Sequence, residues 1–100
     1  MQQSNHLIHF YVFGRVQGVG YRAWTVRTAK EYGLIGWVRN RRNGSVEIYA
    51  QGRLENLELF RQACLKGPLW SRVDNLMPVS IPDAPLIPIE EGDFKQIGPV

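Results

Sequence analysis

Residues 12–24 read VFGRVQGVGYRAW, with glycines at positions 14, 18 and 20 set between an apolar run and a helix-like pattern. Upstream, Leu7 to Phe13 (LIHFYVF) is rich in β-branched and aromatic side chains and predicts a strand with Ile8, Phe10 and Val12 on one face. Downstream, Tyr21, Trp24 or Thr25, Ala29 and Tyr32 recur at helical spacing until Gly33 stops them. A strand, a glycine loop and a helix N-terminus in that order make an anion receptor. Backbone N–H groups converge there without side chains in the way, and the first helical turn carries partial positive charge. Arg22 in that turn adds a guanidinium whose fixed fork of donors can clamp two phosphate oxygens. The three glycines are expected to let the backbone curl around the anion.

Beyond this helix, LIGWVRNRR (34–42) and SVEIYAQ (45–51) are strand-like runs joined through Asn43-Gly44, a pair suited to the positive φ angles of a tight hairpin turn. Gly36, Val38 and Asn40 share one face of the first run; Val46, Ile48 and Ala50 share one face of the second. Leu54, Leu57, Phe60 or Arg61, and Cys64 predict a second helix from Leu54 to Lys66, ended by Gly67-Pro68. SRVDNLMPVS (71–80) predicts a fourth strand whose far end Pro78 pushes to a sheet edge. IPDAPLIPIEEG (81–92) is broken by prolines and predicts an extended connection, after which a short fifth strand is expected around Phe94 to Ile97. The order β-α-β-β-α-β predicts an α+β, ferredoxin-like split β-α-β sandwich: a mainly antiparallel sheet with two helices on one face, residues 1–100 forming a single domain.

The chain has 12 Lys plus Arg against 9 Asp plus Glu, a net charge of +3 that suits any anionic partner and selects none. Arg15, Arg22, Arg27, Arg39, Arg41, Arg42 and Arg53 all precede residue 54, whereas Glu90, Glu91 and Asp93 cluster near the end, so the earlier part is expected to face the anion. Cys64 is the one cysteine, which excludes an intramolecular disulfide and points to a reducing, cytoplasmic setting. No apolar run approaches the ~20 residues of a membrane span, and no export signal is expected. His6, His9 and Cys64 supply no metal-ligand spacing; a solvated or hydrogen-bonded histidine and a core-facing thiol are the expectation. The loop is not a nucleotide cradle, because Gly20-Tyr21-Arg22 stands where a Gly-Lys-Ser/Thr ending would be needed, and the glycine spacing does not fit a dinucleotide-binding turn.

GRVQGVGYR (14–22), GLIGWVRNRRNGSVEIYAQG (33–52) and the Gly67-Pro68 that follows the second helix are together similar to the acylphosphatase family, from about Ile8 to Asp74. The resemblance implies hydrolysis of the carboxyl-phosphate bond of acyl phosphates, giving a carboxylate and inorganic phosphate, by direct attack of water and with no metal, cofactor or covalent intermediate. Position by position it implies that Arg22 binds the phosphate, that the amides of Arg15, Val16, Gln17, Gly18, Val19, Gly20 and Tyr21 surround it, and that Asn40 places the attacking water. The implied partner is a small acyl phosphate met by a monomer, with inorganic phosphate or sulfate as a loop occupant and neither membrane nor nucleic acid involved. The family closes on a Phe-x-Ile motif, whereas here Phe94 and Ile97 stand one residue further apart.

The chemistry needs few groups. A carboxylate leaves as the base of an acid with a pKa of about 4, so no general acid is required at neutral pH. Holding the phosphoryl group, neutralising its oxygens and placing a water are tasks of positioning and electrostatics. Two binding-module alternatives stand beside the enzyme: a ferredoxin-like sheet that stacks single-stranded RNA on Trp37 and Tyr49 near Arg39, Arg41 and Arg42, or a non-catalytic module for an acyl or carbamoyl phosphate.

Overall fold

The computed structural model describes residues 5–81, 87–89 and 92–100. Its elements are β1 (His6–Arg15), α1 (Tyr21–Glu31), β2 (Ile35–Asn40), β3 (Val46–Gly52), α2 (Leu54–Lys66), β4 (Arg72–Pro78) and β5 (Phe94–Gln96). The sheet runs β4-β1-β3-β2-β5, antiparallel throughout except for the parallel pair β2 and β5. This is the ferredoxin-like arrangement expected, extended by a fifth strand. β4 forms one edge and carries Pro78 at its far end, where a missing donor costs least.

Alternation sets the faces. Phe10 and Val12 of β1, Val38 of β2, and Val46, Ile48 and Ala50 of β3 are all buried on the helix side, where they meet Ala29 of α1 and Leu57, Phe60 and Cys64 of α2. The registers Gly36↔Ala50, Val38↔Ile48 and Asn40↔Val46 join the faces read from the two runs. Phe60 touches both Phe10 and Phe94, with ring centroids 6.4 and 6.0 Å apart, so this one side chain of α2 links β1 to β5 through the core. Burying such aromatic and aliphatic side chains stabilises the fold by about 1.5–3 kcal/mol each.

Four expectations need correction. Leu54 is exposed, since the first residue of α2 lies before its buried stripe of Leu57, Phe60 and Cys64 begins. Asn43 does not take a positive φ. Gly44 alone does in this turn, while Asn43 Oδ1 accepts hydrogen bonds from the amide (3.1 Å) and hydroxyl (2.6 Å) of Ser45. Gly14 belongs to β1 and not to an anion cup: at the register shift against β4, a Cβ there would stand 2.1 Å from the Arg72 carbonyl oxygen. Ile97 lies beyond β5, although its amide continues the ladder by donating to Val38 O at 2.9 Å. The proline-rich connection and the acidic pair Glu90 and Glu91 fall largely outside the described residues.

Candidate active site

Val12, Val46 and Asn40 stand abreast on three neighbouring strands, so the loop leaving β1 and the last residue of β2 share one end of the sheet. Val16 is buried and roots the loop in the core. Gly18 and Gly20 then take φ of 74° and 81°, a region where side chains are strained, and Gly20 caps the start of α1. The first turn of α1 is fixed by Tyr21, whose buried hydroxyl donates to Cys64 O at 2.6 Å. Burial is also the main reason that the Tyr21 hydroxyl and the Cys64 thiol titrate well above their ordinary values; Cys64 is a core group and not a nucleophile.

Gln17 joins the loop to the hairpin. Its Nε2 donates to Arg41 O at 2.8 Å and to Ser45 O at 2.7 Å, the carbonyls at either side of the β2–β3 turn. The backbone of Asn40 is held from the other side, where its carbonyl accepts from Val100 N (3.0 Å) and Arg42 N donates to Val100 O (2.6 Å). Loop, hairpin and C-terminal segment thus converge around Asn40.

What these groups do not bond to within the protein defines the electrostatics. Among the described residues, none of the backbone N–H groups from Val16 to Gly20 donates to a protein acceptor. α1 has no side-chain cap and no acidic residue in its first turn, so its N-terminal partial charge is uncompensated. Arg22 is half-buried and makes no ion pair or side-chain hydrogen bond among the described residues. Asn40 Oδ1 is buried with no hydrogen-bond partner in the protein, an arrangement that costs about 1–3 kcal/mol unless something polar completes it.

A cleft lies over the loop, lined by Val16, Gly18, Gly20, Tyr21, Arg22, Ala23 and Gln96. Five of the expected residues therefore meet in one place. Arg15 does not join them: it is exposed and pairs with Arg72 across β1 and β4. Gln17 turns its side chain to the hairpin, Val19 packs on the core, and Asn40 stands on the sheet outside the cleft lining. The sequence reading missed Ala23 and Gln96. It also missed Trp70, whose Nε1 lies 3.6 Å from where a Cβ on Gly20 would stand. The alternation Phe94-x-Gln96 was the available signal for Gln96, because it puts both residues on one face.

The opposite face of the sheet carries the side chains weighed for stacking. Trp37 is fully buried, and its indole Nε1 lies 3.4 Å from Ile87 O. Glu47 is buried and accepts from Arg39 Nε at 2.7 Å, while its other oxygen lies 2.6 Å from His9 Nε2. The Arg41 guanidinium sits 3.7 Å from the centre of the Tyr11 ring. Trp37, Tyr49, Arg39 and Arg41 are thus engaged with neighbouring side chains, and the RNA alternative is not favoured.

The acylphosphatase family profile matches residues 8–87, continuing past Asp74 where the motif resemblance thinned. A curated acylphosphatase of Rhodospirillum rubrum is 51% identical over 76 residues, 74% of this chain and 84% of that protein. One of Bifidobacterium longum is 44% identical over 89 residues, 87% of this chain and 89% of that protein. The crystal structure of acylphosphatase from Bacillus subtilis superposes with a TM-score of 0.78 at 32% identity, covering 94% of this chain and 99% of that one. The glycine loop, Arg22 and Asn40 all lie in the matched region, and the chain belongs to the acylphosphatase family.

Proposed function

We propose that, in the hydrolysis of acyl phosphates to a carboxylate and inorganic phosphate, Arg22 and the amides of residues 16–21 hold the phosphoryl group while Asn40 places the attacking water. Enzymatic hydrolysis itself follows from the family; the division of roles is supported chiefly by the free donors of the loop. Five unbonded backbone N–H groups, a helix N-terminus without acid or cap, and a guanidinium without an ion pair follow one another along the loop and the start of α1, with no anion among the described residues to meet them. A phosphoryl group developing negative charge on its equatorial oxygens is their complement.

Asn40 suits the second role because its carboxamide both donates and accepts, so it can orient a water from either side. Its buried, unpaired Oδ1 is the acceptor such a water would meet. The carboxylate departs without protonation, and the proton of the attacking water passes to the phosphate product. No step calls for a metal. Among the described residues no three His, Cys, Asp or Glu side chains gather into a ligand set, and no helix is long and apolar enough to cross a membrane. We infer a metal-independent enzyme acting as a cytoplasmic monomer, with residues 1–100 as one domain and inorganic phosphate or sulfate able to occupy the cup.

Loss of benzoyl phosphate absorbance, followed with excess chelator, tests this. Activity is expected to survive chelation, to fall about 100- to 1,000-fold in Arg22→Ala, and in Asn40→Ala to fall in kcat with little change in inhibition by phosphate. Chelator-sensitive activity, or variants that match the wild type, would overturn the assignment of roles.

A further inference from the structure

We infer that Gln96 is a specificity-determining residue of the same cleft: its carboxamide hydrogen-bonds the acyl group and favours acyl phosphates with a hydrogen-bonding substituent next to the carbonyl. This rests on the phosphoryl placement proposed above. The position follows from the register of β5. Gly36 pairs with Phe94 and Val38 with Gln96, and Phe94 is buried against Phe60 on the helix side. Alternation turns Gln96 to that same side, where it lines the cleft with Gly18, Gly20 and Arg22. Had Ile97 stood two residues after Phe94, this wall would be apolar.

Apart from Arg22, the other residues lining the cleft offer no free polar side chain for the acyl moiety. Val16 and Ala23 offer no polar side-chain atom, Gly18 and Gly20 no side chain, and the Tyr21 hydroxyl is committed to Cys64 O. Arg22 and the loop amides serve the phosphoryl oxygens. Gln96 is exposed, makes no side-chain hydrogen bond among the described residues, and carries both donors and an acceptor. Gln96 pairs with Val38, two residues before Asn40 on the adjoining strand, and stands exposed at the rim of the cleft, where an acyl group leaving the loop would meet it.

Propionyl phosphate and glycoloyl phosphate differ by a methyl group in place of a hydroxyl and make a matched pair of probes. The wild type is expected to prefer glycoloyl phosphate in kcat/KM. Gln96→Leu, similar in size but apolar, is expected to lower the glycoloyl-to-propionyl ratio about 3- to 10-fold, the range of one net hydrogen bond. Competitive inhibition by inorganic phosphate should move less than that ratio, which shows the cup intact. Gln96→Glu, which brings a negative charge beside the phosphoryl group, is expected to raise KM for both substrates. An unchanged ratio in Gln96→Leu, with phosphate inhibition retained, would overturn the role of Gln96 alone. A wild type that hydrolyses neither probe, or is not inhibited by phosphate, would remove the cup assignment and this inference with it.

Discussion

Arg22 and Arg39 lie on opposite sides of the sheet and meet opposite surroundings. Arg39 donates to the buried Glu47, stacks over Trp37 with 5.2 Å to the ring centre, and shares its carboxylate with His9. Arg22 has no carboxylate partner among the described residues and follows a loop of unbonded amides at an uncapped helix start. The same residue type closes a network on one face and leaves one open on the other. A carboxylate shared between two partners within the protein holds structure together, whereas unbonded donors beside a cleft are complementary to a ligand. Charge alone does not separate the two; the partners do.

Breaking the closed side should cost stability. Glu47→Ala leaves His9 and Arg39 without their carboxylate and is expected to destabilise the fold by about 3–5 kcal/mol in denaturant unfolding; a loss below ~1 kcal/mol would mean that the network is weakly coupled to folding. Breaking the open side should cost function and leave the fold alone. Arg22→Ala is expected to lose about 2.7–4 kcal/mol of transition-state stabilisation in kcat/KM, with an unfolding midpoint close to that of the wild type, since no ion pair or side-chain hydrogen bond among the described residues is removed.

Between these extremes lies Gln17, part of the site's frame. Gln17→Ala removes two hydrogen bonds and should lower stability by about 1–3 kcal/mol while reducing activity, read from urea unfolding and benzoyl phosphate turnover on one preparation. The smallest effect belongs to alkaline pH. Burial raises the Tyr21 and Cys64 values in the folded protein, so each stays protonated when folded and ionises more readily once unfolded. Stability is then level below about pH 8 and falls as pH rises through 9 and 10, by at most ~1.4 kcal/mol per pH unit for each group. Cys64→Ala should reduce that slope; an unchanged slope would place the alkaline loss elsewhere.

Much of this was legible in the chain. Alternation set the faces of β1, β2 and β3, helical spacing and glycine stops bounded α1 and α2, and the order of elements gave the ferredoxin-like topology. Six of the seven cleft-lining residues lie in the one loop-and-helix stretch. Local patterns report which face a residue is on, but not which distant group it meets. Gln17 bonds carbonyls 24 and 28 residues away, and Glu47 bonds a histidine 38 residues away. Gly14 read as part of the loop because a glycine demanded by close approach of a strand looks the same in sequence as one demanded by a turn. Gln96 was hidden by the longer Phe-to-Ile spacing, whose meaning depends on the register of β5 against β2.

The double hydrogen bond of Gln17 bears on how the cup would report itself to solvent. Amide hydrogen exchange registers hydrogen bonding and local opening, and a segment with free amides is easily taken for a mobile one. Here Val16 and Gln17 secure a loop whose donors are unbonded, so Val16 to Gly20 should exchange rapidly while remaining ordered. Phosphate would slow that exchange by supplying acceptors to a shape already in place, and the protection gained would count donors engaged rather than motion lost.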